Sequence, residues 1–218
     1  MDKKTIIRSF YQGKDEDYQG AGNCASIAVI KAAIYTFGFD VFDYTIENDT
    51  YFVTLKNNDK ITFTKQELAY ASKESSFIPG KAVDKVEYQA FKKIQEYAHI
   101  CFTVICKMAQ IHGDFSQRFS KFIIPETFEI AVETINDGAF TPEVYEFLGL
   151  EDHVTPVLRI RIRKRIRSKR GMVVWTGSHA MFAAGGYIDV YGKPVRFRNR
   201  FMIRLPGNFI SGIFQIKP

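Results

Sequence analysis

Cys24 is preceded by Asn23 and by glycines at positions 20 and 22. Ile27, Ile30, Ile34 and Phe37 follow it at helical spacing, and Gly38 supplies a stop. This pattern predicts a helix that opens at Cys24, with Asn23 as its N-cap. A thiol in the first turn of a helix feels the positive end of the dipole, which favours thiolate and lowers the pKa. The glycines let the backbone turn sharply and leave the sulfur approachable. Taken alone, the same pattern also describes a small buried hydrophobe at a helix start.

Of the four histidines, His99 is expected in mid-helix, His112 at a helix C-terminus and His153 in a loop. Only His179, within Thr176-Gly177-Ser178-His179-Ala180-Met181, is flanked by small residues that let a substrate reach the ring. Asn199 closes the hairpin that follows. Its side-chain carbonyl can accept from a ring N–H and fix the histidine tautomer. Asp189, on the strand after His179, is a rival for that role, ranked below Asn199. An early cysteine opening a helix, a late histidine on a strand and an Asn one hairpin on are what thiol-based acyl transfer needs. The expectation is a Cys24–His179 thiolate–imidazolium pair.

These segments resemble those of calpain-type, papain-fold peptidases. Gln19-Gly20-Ala21-Gly22-Asn23-Cys24-Ala25 is similar to the family's Gln-Gly-x-x-Gly-Asp-Cys-Trp. Gly177-Ser178-His179-Ala180-Met181 is similar to Gly-His-Ala-Tyr, and Val195-Arg196-Phe197-Arg198-Asn199 to Arg-Leu-Arg-Asn-Pro-Trp-Gly. The segment from Val104 to Gly113 looks like the family's Glu-Lys-Ala-x-Ala-Lys-x-x-Gly helix. The resemblance is spread from Gln19 to Phe201 in short patches. It implies Cys24 as nucleophile, His179 as general base and then acid, and Asn199 as orienting group. The Cys24 backbone N–H and the Gln19 amide would form the oxyanion hole. The chain departs from the pattern in three places. Gln19 precedes Cys24 by five residues rather than six, which leaves Gln12 as a fallback. Ala25 stands where the family has Trp, and Arg200-Phe201 stands where it has Pro-Trp. No acidic calcium loop is evident.

The elements that must hold these residues read as helices first and strands last. A hairpin is expected over Tyr51–Lys56 and Lys60–Thr64, and Thr64 with Glu67 forms a capping box for a helix Lys65–Ser75. A long striped helix covers Val86–Ile111, and further helices cover Pro125–Ile135, stopped by Asn136-Asp137-Gly138, and Pro142–Leu148. Thr155-Pro156 reads as the start of another helix that runs to Gly171. Strands follow at Met172–Thr176, Ala180–Ala184, Tyr187–Tyr191, Val195–Asn199 and Phe209–Gln215, with Tyr191-Gly192-Lys193-Pro194 as a hairpin turn. This order predicts an α+β fold of papain-like, two-lobed form, with an N-terminal helical lobe and a C-terminal antiparallel β lobe. Residues 1–218 are expected to form a single peptidase domain.

The chain is 46% hydrophobic, with 20 Phe, enough apolar area for one core. Three cysteines without a CxxC argue against a disulfide framework and a structural zinc, so neither cofactor nor metal is expected. No signal peptide and no membrane-length apolar run is seen, which predicts a cytoplasmic protein. Signal-independent export would leave no trace in the sequence. The net charge of +6 is concentrated between Arg159 and Arg170, which hold eight basic residues and no acidic one. That stretch suits an acidic partner or substrate. Without interleaved aromatics, base stacking and nucleic-acid binding are disfavoured. The expected function is peptide-bond hydrolysis through a thioester. Two alternatives stay open: another thiol acyl transfer, such as deamidation, amide ligation or removal of a ubiquitin-like modifier, and a non-catalytic binding protein on a degenerate protease scaffold.

Overall fold

The computed structural model describes residues 1–12, 22–116, 121–158, 170–197 and 210–218. The Asp2 carboxylate accepts from the Lys4 and Thr5 N–H groups and opens α1 (Lys3–Ser9). The chain extends as β1 (Phe10–Gln12) and later enters α2 (Cys24–Phe37). A three-stranded meander follows, β2 (Asp43–Glu47), β3 (Thr50–Thr54) and β4 (Lys60–Thr64). The Thr64–Glu67 capping box starts α3 (Lys65–Glu74). β5 (Phe77–Pro79) pairs back onto β1, with Phe10 opposite Pro79. Asp84 caps α4 (Lys85–His112), and β6 (Asp114–Ser116) pairs with β7 (Lys121–Ile123). Two shorter helices follow, α5 (Phe128–Gly138) and α6 (Thr141–Phe147).

The described residues of the last third form a six-stranded antiparallel sheet. Its strands are β8 (Val154–Pro156), β9 (Met172–Thr176), β10 (Ala180–Ala184), β11 (Tyr187–Val190), β12 (Lys193–Arg196) and β13 (Ile210–Ile216). They run in the order β12-β11-β10-β9-β13-β8. The protein is therefore α+β.

The joint between helices and sheet is α2, which packs on β10 and β9 on one side and on α4 and α6 on the other. Every residue from Ala25 to Ile34 is buried. A helix apolar all round is stable only inside a core. Side chains alternate along β10. Ala180, Phe182 and Ala184 join the main core with α2, while Met181 and Ala183 pack on the other face with Met172, Val174 and Ile188. The start of β10 is thereby brought to the start of α2.

Several expectations are met closely. β9 and β10 have the expected ends, and α2, α3, α4 and α6 lie within one residue of theirs. Others are corrected. Thr155 and Pro156 do not start a helix; they lie on β8, opposite Gln215 and Phe214 of β13. β8 is an edge strand, where a proline without an N–H is tolerated. The rest of that expected helix, residues 159–169, falls outside the described residues. Asn136-Asp137-Gly138 forms the last turn of α5 instead of stopping it beforehand. Among the described residues no helix is long and apolar enough to cross a membrane.

Candidate active site

The approach to Cys24 is threaded between the ends of two other helices. Gly22 donates its N–H to the Asn136 carbonyl in α5. A Cβ on Gly22 would lie 2.8 Å from the Asp137 carbonyl oxygen, closer than real Cβ contacts, so a side chain here displaces backbone. Asn23 is buried and stands at the N-cap of α2 as expected, but its side chain makes no capping hydrogen bond there. Its amide instead donates to the carbonyl of Ser75, at the end of α3. The residue before the sulfur is thus pinned by tertiary contacts.

The Cys24 sulfur accepts the N–H of Ala180 at 3.5 Å. Ala180 follows His179 directly. The His179 carbonyl accepts from the Thr176 N–H at 2.9 Å and from the Thr176 hydroxyl at 3.3 Å, which fixes the β9–β10 turn. The His179 ring stacks on Tyr191, with centroids 4.9 Å apart and planes 21° apart. Tyr191 and Gly192 form the two-residue turn between β11 and β12, both with positive φ (50° and 78°). That is the geometry of a tight hairpin turn. Gly192 is required for a second reason, because a Cβ there would lie 2.5 Å from the Tyr11 ring.

Asp189 secures this turn, since its Oδ1 accepts the Gly192 N–H at 2.8 Å. Its Oδ2 accepts from Lys31 Nζ at 2.6 Å. Lys31 is wholly buried on α2; it also donates to the Ile7 carbonyl at 2.9 Å, and its Nζ lies 4.8 Å from the Phe10 ring centre. Cys24, His179, Asp189, Tyr191, Tyr11 and Gln12 line one small cavity of about 20 Å³. That is room for about one water molecule.

Enclosure governs the electrostatics. Burial pushes the Cys24 thiol up, against the lowering effect of the N–H groups of Ala180, Ala25 and Cys24 itself. Burial likewise pushes His179 down, against the raising effect of the Asp189 carboxylate. Both shifts run against the charged pair expected from the helix dipole. Burial in this cleft favours the neutral thiol and the neutral imidazole. Cys101 and Cys106 are completely buried within α4, and burial pushes both thiols up.

Cys24 and His179, expected from sequence, both line this cleft. Asn199 and Gln19 lie outside the described residues, as does the basic stretch up to Lys169. Asp189 and Gln12, the lower-ranked alternatives, line the cleft. Sequence reasoning misses Lys31. It is the one charged residue of α2, amid apolar neighbours on every side. A lone charge in such a helix signals a buried partner. Tyr191 reads in the sequence only as a turn residue, and nothing in its surroundings marks it as a stacking platform. Among the described residues no cluster of three or more His, Cys, Asp or Glu is arranged to hold a metal ion. Comparison with family models, curated proteins and solved structures gives no match.

Proposed function

We propose that the chain is a papain-like cysteine peptidase, with Cys24 as nucleophile, His179 as general base and acid, and Asp189 as orienting group. The observation that carries this reading is the docking of the Cys24 sulfur on the N–H of the residue next to His179. Asp189 and Gln12 line the same cleft. Asp189 stands here as the alternative to Asn199, and Gln12 as the alternative to Gln19; Asn199 and Gln19 themselves lie outside the described residues.

With both groups neutral at rest, the thiol proton moves to His179 as Cys24 attacks the substrate carbonyl. The Cys24 backbone N–H and the Gln12 amide receive the developing oxyanion. His179 returns the proton to the leaving amine, and a thioester remains. Water then attacks the thioester, giving the acid and restoring the thiol. An acidic substrate or partner at Arg159–Arg170 belongs to the same proposal, on charge alone.

The test is turnover on a peptide library with Cys24→Ala and His179→Ala as controls, read by mass for new N-termini and by ammonia release. New N-termini that vanish in both variants support the peptidase. Ammonia release without new N-termini moves the assignment to deamidation by the same thioester. Turnover retained in Cys24→Ala, with an unchanged fold, sinks the nucleophile.

A further inference from the structure

Replacing a buried ion pair by apolar side chains is often neutral or stabilising, so stability alone gives little reason for Lys31 to be where it is. Its position relative to the cleft supplies one. Lys31 is wholly buried, and its ammonium bridges the Ile7 carbonyl of α1 and the Asp189 carboxylate of β11. Each Asp189 oxygen then holds one donor, Lys31 Nζ on Oδ2 and the Gly192 N–H on Oδ1. The carboxylate is locked, and so is the turn that carries Tyr191 onto the His179 ring.

Among the described residues, the polar and titratable side chains that line the cavity with His179 are Cys24 from α2, Tyr191 from the hairpin turn, Tyr11 and Gln12 from β1, and Asp189 from β11. Asp189 brings the negative charge among them, and Lys31 lies directly behind it. We propose that Lys31 is a positioning residue of this site: it holds Asp189, and through it the Tyr191-Gly192 turn, against His179, and it cancels much of the charge that the imidazole faces. The proposal rests on the reading of Cys24 and His179 as the reacting pair. In that reading a general base must be neutral before substrate arrives. An unmatched carboxylate beside the ring would favour imidazolium. Lys31 removes that bias while Asp189 keeps its orienting position.

The experiment is an NMR pH titration of the histidine rings, with His179 assigned by its loss in His179→Asn. It is run on the wild type, Lys31→Met, Asp189→Asn and the double variant. Cys24 alkylation by iodoacetamide is followed over the same pH range. Lys31→Met is expected to raise the His179 midpoint and to shift Cys24 alkylation to lower pH, because more imidazolium is present to pair with thiolate. Asp189→Asn is expected to lower the midpoint, and the double variant to lie above Asp189→Asn. A His179 midpoint in folded Lys31→Met equal to that of the wild type overturns the proposal. Where Lys31→Met does not fold, Asp189→Asn and the double variant decide, and equal midpoints in those two overturn it. The double variant leaves no buried charge unpaired, and its failure to fold would make Lys31 a part of the fold alone. A shifted His179 midpoint in a protein without turnover upholds the role of Lys31 and removes the peptidase reading. Turnover with an unmoved midpoint does the reverse.

Discussion

Cys24 and His179, the proposed reacting pair, are partly buried. Burial raises the Cys24 thiol and lowers the His179 imidazole, so the resting cleft disfavours both ions. Alkylation of Cys24 in the absence of substrate should therefore climb with pH through a midpoint no lower than the ~8.5 of a free thiol. A midpoint well below that value, lost in His179→Ala, would show a preformed ion pair instead. Gln12 lines the same cleft as Cys24. In the proposed mechanism it donates to the oxyanion in the transition state, so Gln12→Ala should lower kcat roughly 10²-fold with little change in KM. An unchanged kcat would remove Gln12 from the mechanism.

At the scale of elements, the entry to α2 is held from outside. Gly22 passes the end of α5 and Asn23 bonds the end of α3. Gly22→Ala forces its new methyl against the Asp137 carbonyl. The expected outcome is a loss of about 1–3 kcal/mol by denaturant unfolding, together with reduced Cys24 reactivity. Thr64→Ala is the contrasting case. It breaks the α3 capping box, remote from the cleft, and should cost about 0.5–2 kcal/mol with turnover intact. Elements with local punctuation are legible in the sequence itself: α2 from its 3.6-residue stripe and Gly38, α3 from Thr64 and Glu67, the β11–β12 hairpin from Tyr191-Gly192. What distant chain decides is not. β1 and β5 are three residues each and exist as strands by pairing with each other. Thr155-Pro156 has the chemistry of a helix start, yet β13 offers it a sheet edge. In the site, Cys24 and His179 are legible from neighbouring small residues. The role of Lys31 is not, because its partner Asp189 lies 158 residues away.

For the molecule as a whole, a carboxyl pair away from the cleft ties stability to pH. Glu143 at the start of α6 is pushed up to about 7, first by burial and then by the charge of the neighbouring Asp114, to which it is hydrogen-bonded. The folded protein keeps this proton to about pH 7, whereas an unfolded chain releases it near ~4.3. The folded state binds more protons in that window, so the contribution is full below it and lost as pH rises through it. Glu143→Gln should therefore flatten the fall in Tm between about pH 5 and 7; a slope unchanged from wild type would refute the link. The docking of Cys24 on Ala180 spans 156 residues of chain. At ~5–20 residues per second of synthesis, the thiol leaves the ribosome roughly 8–30 seconds before the strand that completes its site. Until then it has neither a base nor a cleft, and is an ordinary cysteine. A peptidase of the proposed kind is in this way kept harmless to its own nascent copy and to its neighbours by the order in which its parts are made.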